Sequence, residues 1–327
     1  MGYFDALKNF RSIDLKEIRP KGFLANIHQL WEKKSSKVAQ KHGWRSVDAC
    51  PVCGSSKRHV EFSKYNIDIV GCLDCSLRYA SKIPRETEDI YSDEEYLPVA
   101  QQCYMQNVDY RKKRFGGERI EIIRQFTGEV KGKRLLDIGC GTGWFLDVAQ
   151  EAGFGVCGQE LGKELAKWTA KRLGVDVHSC PVSDIPLKQK FDVITMFDLI
   201  EHVTDPVQLV RDCKQLLTPS GIMLVFTPNF DSLAINVMKE NSNLITPAEH
   251  LTYFTRKSVE KIAEQTDMEL VWFKTCGIDL GDLKGFYEWK GDQALSDACE
   301  RLYDLIQPVV DAAQSGNHLR FILRNNG

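Results

Sequence analysis

The sequence has no strong charge imbalance and no long apolar run, and each absence argues against one class of function. Its 43 Lys and Arg residues nearly balance its 45 Asp and Glu residues, so no whole-chain field attracts nucleic acid or an anionic membrane. No apolar stretch reaches the roughly 18 residues that a membrane-spanning helix needs, and the N-terminus lacks the apolar core of a signal peptide. We therefore expect a cytoplasmic protein that contacts neither nucleic acid nor a membrane.

Cysteine is abundant, and its spacing predicts a metal site. Eleven cysteines without an export signal indicate reduced thiols, and four of them form two C-x-x-C pairs, Cys50 with Cys53 and Cys72 with Cys75. This spacing is typical of two hairpin knuckles that hold one zinc ion between four thiolates. All four ligand positions are filled, so we expect a structural zinc. Disulfides, unrelated buried thiols and a rubredoxin-like iron site are the alternatives.

Strand-like and helix-like runs alternate from residue 133 onward. The expected strands are RLLDIG, GVCGQE, VDVHSC, FDVITMFDL, GIMLVFTPN, ELVWFKT and HLRFILR, and most are separated by amphipathic segments. Buried runs that alternate with helices predict an α/β fold in which helices cover both faces of a mainly parallel sheet. We therefore expect a Rossmann-like, doubly wound domain with seven strands.

The chain divides into four predicted parts. These are a helical arm at 1–46, a zinc ribbon at 47–82, a linker and helix at 83–132, and the large domain at 133–327. An insertion at 277–316 precedes the last strand. It carries an apolar stripe that we interpret as core or a homodimer face, with a lid over the acceptor as the alternative. The stripe consists of Leu295, Ala298, Leu302, Leu305, Ile306 and Val309.

The loop in LLDIGCGTG follows the first strand of the large domain, where open parallel sheets bind ligands. Gly139, Gly141 and Gly143 are spaced G-x-G-x-G, whereas a pyrophosphate loop has the spacing G-x-G-x-x-G. Asp137 would repel a phosphate but suits a cationic amino group. Glu160 ends the next strand, where a carboxylate can accept hydrogen bonds from ribose hydroxyls. The pattern predicts a cofactor that joins adenosine to an amino acid.

Residues 133–230 resemble the class I S-adenosylmethionine (SAM)-dependent methyltransferases. LLDIGCGTG matches the first motif of the family, GQE its acidic ribose motif, and FDVITMFDLIEHVTDP with LLTPSGIMLVFTPN its fourth and fifth strand regions. The sequence CPVSDIP lacks the acidic residue that often meets the adenine, so Val182 and Ser183 are expected to contact it instead. The resemblance implies that the cofactor contacts Asp137, Gly139, Cys140, Gly141, Gly143, Glu160, Leu161, Val182, Ser183, Phe197 and Asp198.

A looser resemblance concerns the acceptor. The ribbon together with EHLTYFT, residues 249–255, resembles bacterial methyltransferases of nucleotide-linked sugars and of polysaccharide or natural-product intermediates. That resemblance places Glu249 and His250 where those enzymes carry acid–base groups. A histidine is suited to remove a proton from a carbon or a hydroxyl before methyl transfer. The alternative is that His250 only packs or caps its loop.

A second group of polar residues lies in FDLIEHV. If the chain turns helical there, Asp198, Glu201 and His202 share one face. Quinone-ring O-methyltransferases of the same superfamily show a similar arrangement that can hold a divalent metal. We interpret His202 instead as bonded to the backbone and Asp198 as lining the pocket, because Mg²⁺ typically needs more oxygen ligands.

These observations predict a SAM-dependent methyltransferase for a small acceptor, with a nucleotide-linked sugar or a related intermediate as the leading candidate. The alternatives are a quinone-type O-methyltransferase with a divalent metal, an RNA or protein methyltransferase that recognises its target through the ribbon, and a SAM-binding scaffold without activity. Basic residues are few in the ribbon, which disfavours RNA as the target.

Overall fold

The computed structural model describes residues 10–18, 22–41, 43–85, 108–188 and 190–326. Much of the predicted linker, residues 86–107, lies outside these ranges. The strands within them are β1 Trp44–Ser46, β2 Arg58–Lys64, β3 Ile67–Cys72, β4 Arg78–Ala80, β5 Lys82–Pro84, β6 Arg134–Ile138, β7 Gly155–Gln159, β8 Val177–His178, β9 Phe191–Phe197, β10 Leu217–Pro228, β11 Thr252–Tyr253, β12 Met268–Cys276 and β13 His318–Asn325.

The helices are α1 Leu15–Ile18, α2 Phe23–Lys41, α3 Gly117–Thr127, α4 Trp144–Glu151, α5 Lys163–Leu173, α6 Pro206–Leu216, α7 Leu233–Met238, α8 Arg256–Thr266, α9 Asp279–Lys290 and α10 Gln293–Ala312. Helices α1 and α2 lie in the predicted helical arm, 1–46. None of the helices in the described ranges has both the length and the apolarity that a membrane-spanning segment requires.

Seven strands form the large sheet in the order β12–β13–β10–β9–β6–β7–β8. The five strands from β10 to β8 pair in parallel, whereas β13 runs antiparallel to both of its neighbours. The predicted mainly parallel, doubly wound sheet is confirmed. Because β6 lies between β7 and β9, the chain changes winding direction there, and the ends of β6 and β9 flank the crevice that such folds use for ligands.

The strand sequences explain why both faces of this sheet are covered. In β9, Val193 packs in one apolar cluster, whereas Ile194 and Met196 pack in another on the opposite face. Successive side chains of a strand point to opposite sides, so a continuous apolar run requires a helical layer on each side. The central strands therefore hold their carboxyl-terminal loops on a rigid base.

A second, four-stranded sheet has the order β11–β4–β3–β2. Strands β2, β3 and β4 come from the predicted ribbon and pair antiparallel. The fourth strand, β11, comes from the large domain, where Thr252 lies opposite Tyr79 and Tyr253 opposite Arg78. The ribbon and the large domain thus share one sheet, which the sequence did not lead us to expect. The boundaries of the four parts stay a prediction.

The insertion contains two helices, α9 and α10, that pack with the N-terminal arm. The cluster between them includes Leu24 of α2, Leu283 of α9 and Tyr303 of α10. The predicted stripe on α10 is not core, because five of its side chains are 38% to 52% exposed. Those five are Leu295, Leu302, Leu305, Ile306 and Val309. The sequence period identified an apolar face but could not show whether a neighbour covers it.

Candidate active site

The four predicted metal ligands lie together. Their sulfur atoms are within 4.8 Å of one another, and the Cys50–Cys75 and Cys53–Cys72 sulfur distances are each 3.5 Å. Zinc–sulfur bonds of about 2.3 Å in a tetrahedron place the sulfurs about 3.7 Å apart. Each knuckle is closed by a backbone turn, such as the bond from Gly54 N to Cys50 O at 2.9 Å. The cluster is consistent with a zinc ribbon.

The glycine loop, residues 139–143, turns sharply at the end of β6. Gly139 and Gly143 have φ angles of +64° and +71°, and a side chain at either would collide with a neighbour. A Cβ would lie 2.8 Å from Leu199 Cδ1 at Gly139 and 2.6 Å from Thr169 Cγ2 at Gly143. A Cβ at Gly141 would meet no atom within 4 Å. The two outer glycines therefore permit the turn, and the middle one faces open space.

The two predicted acidic residues bracket this loop. The Glu160 carboxylate accepts hydrogen bonds from Gly141 N at 3.1 Å and from Gly162 N at 2.9 Å. Asp137 is buried and accepts a 2.6 Å hydrogen bond from the Thr195 hydroxyl. Burial raises the pKa of Asp137 to about 7, against the opposing effects of Thr195 and Arg119. A bound cation beside Asp137 would favour its ionised form.

Arg119, on α3, faces the same crevice and was not predicted. It is buried, and its guanidinium carbon lies 3.7 Å from the ring centre of Phe197 and 4.6 Å from that of Trp144. Its Nε and Nη1 atoms have no hydrogen-bond partner within the described residues. Burial lowers the pKa of Arg119 to about 10, although Asp198 and Asp137 oppose the shift. Two buried donors are therefore available to an anionic ligand.

The other predicted cofactor contacts lie on loops at the same edge of the sheet or beside it. Leu161 and Ser183 have exposed side chains, Val182 and Cys140 are buried, and Phe197 packs under Arg119. Ser183 donates a hydrogen bond to Asp184 at 3.0 Å. These positions are compatible with a bound adenosine, and the individual contacts stay predictions.

Asp198 directly follows β9 and has a φ of +53°, which is uncommon for a non-glycine residue. Its side chain is 54% exposed, and its carboxylate lies 3.3 Å from His318 Nε2. The Nδ1 atom of His318 is 3.1 Å from Asn317 Oδ1. The neighbouring His318 and Arg119 lower the pKa of Asp198 to about 2. The pair therefore presents an ionised carboxylate to the crevice. His318 was not predicted, because it opens an apolar strand in the sequence.

Glu201, His202 and His250 form a compact cluster beside Asp198. Their potential ligand atoms are within 4.8 Å of one another, and the two imidazole ring centres are 4.7 Å apart. Glu201 accepts a 2.8 Å hydrogen bond from Thr227 Oγ1 through Oε2. Its Oε1 atom is buried without a hydrogen-bond partner in the described structure and lies 3.8 Å from His202 Nε2. Burial raises the pKa of Glu201 well above its ordinary value.

Both imidazoles are held by backbone groups. His250 Nδ1 is 2.8 Å from the Leu244 carbonyl oxygen, and the His202 ring hydrogen-bonds the backbone of Glu249. Burial lowers the pKa of His250 to about 4 and that of His202 well below its ordinary value. Both rings are therefore neutral near pH 7. The sequence places His202 and His250 in two separate candidate groups, but the fold brings them into one cluster.

The Glu249 side chain has a different environment from the one expected. It is buried, and its carboxylate pairs with Lys34 of α2. Within the described residues it makes no hydrogen bond to His250. Burial raises the pKa of Glu249 against the opposing effect of Lys34. Its contact therefore joins the N-terminal arm to the loop that carries His250.

Comparison with known proteins gives the family. Residues 110–272 match the methyltransferase domain family. This segment is a class I SAM-dependent methyltransferase domain. The ubiquinone biosynthesis O-methyltransferase of Haemophilus ducreyi is 28% identical to this chain over 183 residues. The match covers 52% of this chain and 75% of that protein. The enzyme of the same name from Bordetella avium is 33% identical over 118 residues, 34% of this chain and 49% of that one.

A solved structure supports the fold of this chain. A chain from the complex between the Haloferax volcanii Trm112 methyltransferase activator and a methyltransferase superposes with a TM-score of 0.52 at 12% identity. The match covers 71% of this chain and 98% of that chain. At this level of identity, the likeness concerns the fold alone.

Proposed function

We propose that the protein is a SAM-dependent O-methyltransferase whose small acceptor carries a hydroxyl group on a ring. The observation that carries this proposal is the cluster of Glu201, His202 and His250, which lies with Asp198 beyond the carboxyl end of β9. The relatives named as ubiquinone biosynthesis O-methyltransferases support oxygen as the methylated atom. They favour a quinol-like ring over the sugar acceptor that the sequence suggested.

The residues around the glycine loop fit SAM, which supplies an electrophilic methyl group when bound. The unpartnered donors of Arg119 suit the carboxylate of its methionine portion. Asp137 suits the amino group, and Glu160 is positioned for the ribose. The open space at Gly141 allows the cofactor to approach the backbone. These residues would hold the cofactor. Removal of the acceptor proton would depend on the separate cluster of Glu201, His202 and His250.

Glu201, His202 and His250 would hold a divalent cation, which would lower the pKa of an acceptor hydroxyl. Three observations support this assignment. One carboxylate oxygen of Glu201 is buried without a hydrogen-bond partner in the described structure. Both imidazoles are neutral, as ligands must be, and both hydrogen-bond the backbone, as ligating histidines commonly do. These features fit a metal site, where a bound cation would favour the ionised form of Glu201 against the effect of burial on its pKa.

Asp198 has a separate part in this mechanism. Because Asp198 is ionised and half exposed, it can accept a hydrogen bond from the acceptor hydroxyl. That bond would orient the hydroxyl oxygen toward the methyl group of SAM. His318 holds that carboxylate in place through the 3.3 Å contact of its Nε2 atom. We further propose that the four cysteines bind a structural zinc ion, separate from the catalytic cluster.

A divalent-metal titration tests the proposed mechanism. The protein is dialysed against a chelator weak enough to leave cysteine-bound zinc in place, as checked by elemental analysis. It is then assayed with a catechol or quinol panel and labelled SAM. We expect transfer to fall at least about tenfold and to recover with Mg²⁺ or Mn²⁺. Transfer that is unchanged after dialysis would contradict the cation proposal.

A nucleotide-linked sugar is the second candidate acceptor. One observation favours it: the loop that carries His250 contains several polar side-chain atoms that are buried without a hydrogen-bond partner among the described residues. These are Asn243 Oδ1, Thr246 Oγ1 and Thr252 Oγ1. Such atoms suit a ligand with several hydroxyl groups. Transfer to activated sugars in the same assay, without transfer to quinols, would favour this candidate.

A further inference from the structure

We infer that the four-cysteine ribbon holds the loop that carries His250, so that metal bound at the ribbon controls the acceptor half of the active site while the cofactor half is independent of it. The His250 loop is defined here as residues 242–253. This inference rests on the proposed function, because it assigns His250 to the acceptor half. It makes the ribbon a positioning device for methyl transfer rather than a separate module.

The first observation is the shared sheet. Strand β11 begins two residues after His250 and pairs with β4 of the ribbon. Immediately before it, the Leu251 carbonyl accepts a 3.0 Å hydrogen bond from Ala80 N. On the other side, Leu251 N donates to the Glu201 carbonyl at 2.8 Å. The backbone next to His250 is therefore bonded to the ribbon on one side and to the catalytic cluster on the other.

The second observation connects this segment to the metal knuckle itself. Ser76 follows Cys75 in the turn, and its N–H donates to Cys72 O at 3.1 Å. The Ser76 carbonyl in turn accepts a 3.3 Å hydrogen bond from Thr255 Oγ1. Thr255 is the N-cap of α8 and follows β11 by two residues. A change in the Cys72–Cys75 knuckle would therefore act directly on the chain just after the His250 loop.

The third observation is at the other end of the loop. Lys64 ends β2 and is buried, and its ammonium group donates a 2.8 Å hydrogen bond to the Ser242 carbonyl. Ser242 opens the His250 loop, and the Leu244 carbonyl, two residues later, holds the His250 ring. The ribbon therefore holds both ends of the loop, through Lys64 at its start and β4 at its end.

The cofactor half is held by other parts of the chain. Within the glycine loop, Gly141 bonds to Thr169 and Glu160, and the Thr142 carbonyl accepts from Arg172. All of these partners belong to the large domain. Four thiols that converge on one point lose their cross-link when the metal leaves. Such a loss would loosen β4 and the His250 loop before it could affect the glycine loop.

The test compares three variants of the 327-residue chain for zinc content, SAM affinity, amide hydrogen exchange and methyl transfer. Cys75→Ser removes one metal ligand. Lys64→Met removes the bond to Ser242, together with the contact of the Lys64 side-chain nitrogen with the Tyr65 ring, and keeps the four cysteines. Lys57→Met changes an exposed lysine of the ribbon and is the matched control.

In Cys75→Ser we expect zinc to be lost and exchange of peptides across 242–253 to quicken at least about tenfold, with transfer falling by a similar factor. SAM affinity should stay within about twofold of the wild-type value. If this variant fails to fold, Lys64→Met provides the test. We expect it to retain zinc, to exchange faster in the His250 loop and to bind the acceptor more weakly. Lys57→Met should match the wild type in all three measurements.

Two results would overturn the inference: wild-type protection of 242–253 in zinc-free Cys75→Ser, or identical loop exchange in Lys64→Met and Lys57→Met. Hydrogen exchange and SAM binding are measured without an acceptor, so they distinguish this inference from the proposed function. If the wild type transfers no methyl group to any acceptor, the proposed function fails. The exchange data would still decide whether the ribbon holds the loop.

Discussion

The two halves of the active site are built differently. Most of the proposed cofactor half lies in one continuous stretch, from Asp137 to Glu160, at the end of two adjacent strands, and Arg119 joins it from α3. The acceptor half combines side chains from segments far apart in the sequence: Lys34, Asp198 to His202, Glu249 to His250 and His318. The comparison teaches that a local turn fixes how the cofactor is held, whereas packing of distant elements determines the acceptor site.

The largest expected effect separates the two halves. Glu201→Gln or His250→Ala should lower the single-turnover rate of methyl transfer by about a hundredfold or more, because each removes a group that acts on the acceptor. SAM affinity should remain near the wild-type value, since neither residue belongs to the glycine loop. Rapid-quench kinetics and calorimetry on the same samples measure both quantities.

We expect His202→Ala to behave in the same way. The sequence suggested that His202 is only bonded to the backbone, but His202 and His250 share one cluster. A normal rate in His202→Ala combined with a low rate in His250→Ala would restore the general-base hypothesis for His250 and contradict the shared cation site.

The second prediction concerns the cofactor half. Gly143→Ala should greatly weaken SAM binding and destabilise the fold, because the residue has a positive φ and its new Cβ would lie 2.6 Å from Thr169. Gly141→Ala is the matched control for stability without SAM: it has a similar φ but its Cβ would meet no atom within 4 Å, so it should cost only about 1 to 2 kcal/mol in strain. Thermal denaturation of the two variants without SAM compares their stability. Equal losses in both variants would show that the contact with Thr169 is unimportant.

The third prediction is smaller. Arg119→Met should weaken SAM binding by about 1 to 3 kcal/mol, because it removes the buried donors that we assign to the cofactor carboxylate. Arg124→Met, on the exposed side of the same helix, should have no effect. Calorimetry with S-adenosylhomocysteine measures the difference. Equal affinities in the two variants would assign Arg119 to the fold alone.

The last prediction is a pH dependence of stability that comes from Asp137. Its pKa is raised from 3.8 to about 7 in the folded protein, so its contribution to stability is greatest below pH 4 and is lost as the pH rises to about 7. Asp137→Asn should therefore gain stability relative to the cofactor-free wild type across that window. Denaturant titrations at pH 5 and pH 8 measure this gain. A constant difference between the two proteins would contradict the shifted pKa.

The same contrast between the two halves explains which parts of the fold and site could be predicted from the sequence. The order of strands and helices, the glycine loop and the four cysteines could be predicted, because each depends on neighbours in sequence. Arg119 could not, since an arginine in a charged helix is usually exposed, and only packing against Phe197 and Trp144 buries it. The pairing of β11 with β4 joins residues more than 170 positions apart, and two-residue strands leave no recognisable pattern.

The most direct test of the account is a crystal structure of the protein with S-adenosylhomocysteine and Mn²⁺, with anomalous data recorded for the metal. The account predicts an anomalous peak coordinated by Glu201, His202 and His250, and a cofactor whose carboxylate meets Arg119 while its ribose meets Glu160. A well-ordered cofactor in a crystal that shows no such peak, with the two imidazoles bonded instead to protein or water, would contradict the metal-assisted mechanism.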